Sequence, residues 1–69
     1  MINYVRYFRK KNGLTQGALA EKVGVTRQTI IAIEKGKFNP SVKLALKFSN
    51  ILECELEQLF ELEEDDWNE

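Results

Sequence analysis

The chain has 69 residues, of which 10 are basic and 11 acidic, for a net charge of −1, with one cysteine and no histidine. That length holds one domain with a small core, since a chain of this size buries only about 60% of its unfolded surface. The cysteine and histidine counts exclude a disulfide framework and a zinc site. No run approaches the roughly 20 apolar residues of a membrane span and no signal peptide is recognisable, so a cytoplasmic protein is expected.

The elements follow in order. Val5 and Phe8, supported by Ile2 and Tyr4, form a helical stripe that stops at Asn12-Gly13, two residues that tolerate the left-handed backbone. Thr15 stands where a second helix needs an N-cap. Leu19, Ala20 and Val23 are that helix's buried side and Gly24 its end. A third helix opens at Thr26, buries Ile30 and Ile33 and stops at Gly36. The stretch from Phe38 to Ser41 is a loop, with Ser41 capping a fourth helix that buries Ala45, Phe48 and Leu52. Cys54, Leu56, Leu59 and Phe60 supply a short fifth helix. Period-two alternation is confined to a brief E-L-E in the tail, so the fold class is all-α.

Charge is divided along this order. Residues 1–50 hold all ten basic residues and two acids, Glu21 and Glu34, a balance of +8; residues 51–69 hold nine acids and no base, a balance of −9. The whole-chain charge therefore says little, and the basic part suits a polyanion, because each neutralised phosphate releases condensed counterions. Solvated helix faces are the plain alternative.

The segment from Leu14 to Gly36 carries the chemistry. Two helices cross closely only where contact residues are small and the turn accepts a positive φ; Ala20 and Gly24 meet those needs, with Val25 filling the space between the helices. Ile30 and Ile33 anchor the third helix, which leaves Thr26, Arg27, Gln28, Thr29 and, one turn on, Ala32 on its free face. Arginine pairs bidentately with guanine, glutamine with adenine, and threonine or alanine methyls meet thymine methyls. Arg27 and Lys43 also fall in the first turns of their helices, where a cation costs a few tenths to about 1 kcal/mol against the helix dipole unless an anion arrives. Around this face Gln16, Gly17, Lys35, Lys37, Asn39 and Lys43 are candidates to grip phosphates.

This pattern resembles the helix-turn-helix of the Cro/cI-type (XRE) repressor family over roughly residues 3–60. The resemblance implies a five-helix, lambda-repressor-like bundle in which Thr26, Arg27, Gln28 and Ala32 face bases and Gln16 contacts the phosphate backbone. It also implies an internal salt bridge between Arg9 and Glu34, from helix 1 to the end of helix 3. The chain departs from the family at Gly17, where a longer or charged residue is usual; the glycine either lets backbone approach DNA or is a tolerated substitution. It departs again at Glu53 and Glu55, which replace small or capping residues, and at Cys54, which replaces a small aliphatic one and reads as a buried, unreactive thiol. Tyr4, Tyr7 and Phe8 are expected to pack rather than to stack on bases.

Residues 1–60 are thus expected to be the DNA-binding domain and residues 61–69 an acidic tail. Three arrangements of the tail stay open: a short ribbon with the N-terminal residues, a dimer interface with helix 5, or disorder. Dimerisation is expected because one module reads only a few base pairs, and Leu56, Leu59, Phe60, Leu62 and Trp67 are the interface candidates. No nucleophile–base pair or carboxylate dyad points to an enzyme, and no cofactor or small-molecule ligand is implied. The resulting expectation is a homodimeric regulator of double-stranded DNA, a repressor without an effector domain. The competing expectation is an antitoxin or adaptor that uses its acidic tail to bind a basic partner.

Overall fold

The computed structural model describes residues 1–68; Glu69, the last residue of the acidic tail, lies outside them. Five helices follow one another: α1 (Val5–Lys11), α2 (Gln16–Val23), α3 (Arg27–Glu34), α4 (Val42–Leu52) and α5 (Leu56–Leu59). Strand β1 (Ile2–Asn3) precedes them and β2 (Phe60–Glu61) follows, before a 3-10 turn over Glu64–Trp67. The fold is therefore the all-α bundle that the sequence predicts, closed by a terminal ribbon.

Side-chain chemistry sets most helix boundaries. Thr15, Thr26 and Ser41 each turn a hydroxyl oxygen to a backbone N–H three residues on, at Ala18, Thr29 and Leu44. A cap of this kind stabilises a helix by about 1 kcal/mol. Gly24 ends α2 with φ 78°, and its N–H and that of Val25 both donate to the carbonyl of Ala20. Glu53 ends α4 in the same left-handed region at φ 53°, the one non-glycine residue to do so among those described. The departure from family pattern at that turn thus coincides with real backbone strain, of order 1 kcal/mol.

Val5, Leu19, Val23, Ile30, Ile33, Phe48, Leu52 and Leu59 are almost fully buried, and Ala20 and Leu44 nearly so. Each large apolar side chain enclosed in this way stabilises the fold by roughly 1.5–3 kcal/mol. Phe8, Leu14, Val25 and Cys54 pack around this cluster, so Val25 does fill the space beside the turn.

The structure corrects four expectations. On α4 Leu44 is a core residue, while Ala45 is only half-buried. The fifth helix is a single turn: Cys54 sits in the turn before it and Phe60 already belongs to β2. Leu59, a candidate for the dimer interface, is 0% exposed, because α5 points it inward against the core. Tyr7 is exposed, and packs through one edge on Phe8, with ring centroids 5.1 Å apart and planes at 89°.

Of the three arrangements left open for the tail, the described part takes the ribbon. Ile2 pairs with Glu61 and Asn3 with Phe60, antiparallel. The Met1 amine lies 2.8 Å from Glu63 Oε1 and 3.1 Å from Asp66 Oδ2. Hydrogen bonds from the amine to Glu63 and Asp66 raise its pKa above the ordinary value, and the backbone N–H of Glu63 together with the amine lowers that of Asp66. Tyr4 donates its hydroxyl to Glu61 at 3.2 Å, and Asn3 Nδ2 donates to the carbonyl of Ile33 at 2.8 Å, which ties the ribbon to the end of α3. Cys54 is half-buried rather than enclosed as expected; that burial, and secondarily the charge of Glu55, pushes the thiol pKa up and disfavours the reactive thiolate.

Candidate nucleic-acid interface

Helices α2 and α3 form the most intimate pair in the bundle. Ala20 and Gly24 let them approach, and Leu19, Val23, Ile30 and Ile33 lock them from behind. The opposite side of α3 is open: Thr26, Arg27 and Gln28 are exposed, and Thr29 and Ala32 are half-buried. The five expected base-facing residues therefore lie at the start and along one side of a helix fixed by its isoleucines. Thr26 spends its hydroxyl on the cap and on a 3.1 Å contact with Thr29 Oγ1. What it keeps for a base is its methyl group, which suits thymine.

Gly17, Lys35, Lys37, Asn39 and Lys43 are all exposed. Lys35 and Lys37 flank Gly36 directly after α3, where Gly36 N–H donates to Ile33 and Lys37 N–H to Ala32, so the basic loop leaves the helix in a defined direction. Nothing lies within 4 Å of where a Cβ of residue 17 would be, so a side chain there would meet open space. Among the described residues α2, α3 and α4 carry no acid in their first turns. Their positive helix ends are thus left uncompensated and electrostatically ready for an anion.

Arg9 and Glu34 form the expected ion pair, Nε to Oε2 at 2.7 Å and Nη2 to Oε1 at 3.2 Å. Both side chains are largely enclosed, and Arg9 Nη1 also donates to the carbonyl of Leu14 at 2.8 Å. Gln16, expected against a phosphate, is half-buried and already engaged: its Nε2 donates to Glu34 Oε1 at 3.2 Å and its Oε1 accepts from Arg27 Nη2 at 3.4 Å. Two supporting contacts escaped the sequence reading. Lys47 Nζ donates to the carbonyl of Val23 at 3.3 Å, closing the end of α2, and Asn12 Nδ2 donates to that of Leu52 at 3.1 Å. The only sequence signal for Lys47 is its i+4 spacing from Lys43, which says nothing about α2.

A helix pair joined by a tight glycine turn, its second helix opening on a polar, acid-free first turn and set on an apolar base, defines a helix-turn-helix protein. Residues 5–59 match the helix-turn-helix family, and the chain belongs to its XRE-type branch of DNA-binding transcriptional regulators. It is 50% identical over 66 residues to the uncharacterized HTH-type transcriptional regulator MJ0272 of Methanocaldococcus jannaschii, covering 96% of this chain and 100% of that one. Its fold is similar to that of the restriction-modification controller protein C.AhdI from Aeromonas hydrophila, with TM-score 0.74 and 34% identity over 81% of this chain and 85% of the other. The N-terminal DNA binding domain of SinR from Bacillus subtilis is as near, with TM-score 0.74 and 30% identity over 87% and 88% of the two chains. Among the described residues no helix is long and apolar enough to cross a membrane.

Proposed function

We propose that this regulator is a dimeric repressor that reads a palindromic operator through α3 and acts by occupying DNA, with no catalytic step. The observation that carries the reading is the exposed, acid-free first turn of α3, held by Ile30 and Ile33. In this reading Arg27, Gln28 and Thr29 meet base edges together with the methyls of Thr26 and Ala32. Lys35, Lys37, Asn39 and Lys43 hold phosphates beside them, and the starts of α2 and Gly17 lie against the backbone.

Dimerisation draws support from apolar side chains left exposed outside α3. Val42 is 77% and Trp67 74% exposed, and Leu46 and Leu62 are each more than half exposed. Val42, Ala45, Leu56, Phe60, Pro40 and Met1 line an open, mainly apolar groove there. A second copy covering this groove would place two reading helices on half-sites about one helical turn apart. In this assignment Leu56, Phe60, Leu62 and Trp67 belong to the interface, Leu59 supports it from within, and Val42 joins them. The acidic residues 61–68 then act with the interface and lie away from phosphate. The setting is the cytoplasm, where the DNA is. The adaptor alternative draws no support from the family match, which covers the DNA-reading bundle.

Selection of bound duplexes from a random pool, with sedimentation of the complex, tests both parts. The expected result is a two-fold symmetric site bound by two chains. Gln28→Ala should relax preference at one position by about 1–3 kcal/mol, and Lys37→Ala should weaken all sequences alike and lower the salt slope by about one. A single half-site bound by one chain at saturation rejects the dimer; unchanged preference in Gln28→Ala rejects the reading face.

A further inference from the structure

The Arg9–Glu34 pair is one end of a longer chain of contacts. Glu34 Oε1 accepts from Gln16 Nε2 as well as from Arg9, and Gln16 Oε1 in turn accepts from Arg27 Nη2. The four side chains join α1, the last residue of α3, the first residue of α2 and the first residue of α3. Along α3 itself Arg27 and Glu34 stand about 10 Å apart, at 1.5 Å per residue. No direct contact between them is recorded, and the link runs through Gln16.

Chemistry fixes the direction of this link. A carboxylate only accepts hydrogen bonds and a guanidinium only donates them. With Glu34 on one side and Arg27 on the other, the Gln16 amide has one acceptable orientation; turning it over would set oxygen against oxygen and N–H against N–H. The Glu34 side chain is 5% exposed, so water does not compete well for its lone pairs, and Arg9 holds it from the other side. Arg27, by contrast, is exposed on a long, flexible stem, and Gln16 is its one hydrogen-bonding partner among the described residues.

We propose that Glu34 is a positioning residue for DNA reading, one that sets the base preference of Arg27 through Gln16 without touching DNA. The inference rests on the assignment of Arg27 to base edges given above. It makes the buried ion pair part of the reading apparatus as well as of the fold. It also gives Gln16 a duty toward Arg27 beside its expected one toward phosphate.

The test measures binding of the full chain and its variants to a set of duplexes altered one base pair at a time, below each variant's melting temperature. Arg27→Met identifies the base pair that Arg27 reads. Gln16→Met cuts the link and spares the ion pair, while Glu34→Gln removes the charge that orients the amide. Both should reduce preference at that same base pair by about threefold to tenfold, in the range of couplings between contacting groups, with preferences elsewhere unchanged. The double variant should lose no more preference than the larger single one. If Glu34→Gln does not fold, Glu34→Asp, which keeps the charge but draws the carboxylate back from Gln16 by one methylene, takes its place and should lose the same preference. Preference retained in Gln16→Met but lost in Arg27→Met overturns the link and leaves base reading standing. Uniform weakening of all duplexes by Gln16→Met makes it a phosphate contact only and overturns the proposal, as does a Glu34→Gln variant that loses stability but keeps its preference. No change in Arg27→Met removes the base-reading assignment, and the link with it.

Discussion

The two ends of the bundle are built by different means. In the α2–α3 unit every boundary agrees with its local chemistry: Thr15 and Thr26 cap the helix starts and Gly24 takes the left-handed turn. The far end, from the close of α4 onward, has Glu53 at a positive φ, a one-turn helix and a two-residue ladder. It is held by Leu52 and Leu59 in the core and by exposed charge contacts between Met1 and the tail. Local agreement sets the boundaries of the α2–α3 unit, which Arg9 and Lys47 then brace from α1 and α4, whereas the other end depends chiefly on contacts made across the whole chain. An interface that must present side chains at fixed angles to bases needs the first kind of construction. A surface that adapts to a partner tolerates the second.

The comparison breaks most visibly at the buried ion pair. Arg9→Met, which leaves Glu34 enclosed without its cation, should cost about 3–5 kcal/mol, and adding Glu34→Leu should cost less than the sum of the two changes. Urea unfolding followed by circular dichroism measures both; a loss below about 1 kcal/mol for Arg9→Met would mean that the pair does not brace the reading end. The two left-handed turns give a sharper contrast, because one kind of backbone conformation should answer with opposite signs. Gly24→Ala should destabilise by about 1–2 kcal/mol through its φ alone, since the nearest atom to a new Cβ is Lys47 Nζ, at 3.9 Å. Glu53→Gly should instead stabilise by a few tenths to about 1 kcal/mol, as relieved strain outweighs the added chain entropy.

The smallest effect concerns the tail. The Met1 amine has a raised pKa, so its contribution is complete below the ordinary amine value of about 8 and fades as pH rises through the raised one. Asp66 has a lowered pKa, so its contribution is complete above the ordinary carboxylate value of about 4 and fades as pH falls through the lowered one. Trp67, the chain's sole tryptophan, follows Asp66 directly and reports on the turn. Its fluorescence should be steady between those values and change on either side, while the helical signal of α2 and α3 holds. A fluorescence change in mid-range, or loss of helix along with it, would contradict the division between the two ends.

How far the sequence could be read follows the same division. Caps, glycine turns and isoleucine spacing are local signals, and they located α2, α3 and the start of α4 within a residue. The α4 face was harder, because Val42, Leu44, Ala45, Leu46, Phe48, Ile51 and Leu52 make the helix apolar on most sides. Periodicity then cannot choose between Leu44 and Ala45 for the core, nor show that Val42 and Leu46 are left outside. A two-residue strand has no period to detect, so β1 and β2 were visible only as one of three fates for the tail. The Arg9–Glu34 pair came through resemblance to a family. The engagement of Gln16 by both Glu34 and Arg27 depends on how α2 and α3 meet, which no local pattern encodes.

The ribbon also bears on the order in which the molecule is assembled. Asn3 and Phe60 find each other across nearly the full contour of the chain, and the entropy of closing so long a loop is offset by a two-residue ladder and the exposed contacts of Met1 and Tyr4 with Glu61, Glu63 and Asp66. Zipping of β1 to β2 therefore belongs late in folding, after the neighbouring helices have docked, and its reversal comes early in unfolding. Met1 and Phe60, which this late step brings together, are also two walls of the apolar groove. In the dimer proposed above, a chain still in the course of folding would therefore have no finished groove to offer a second copy.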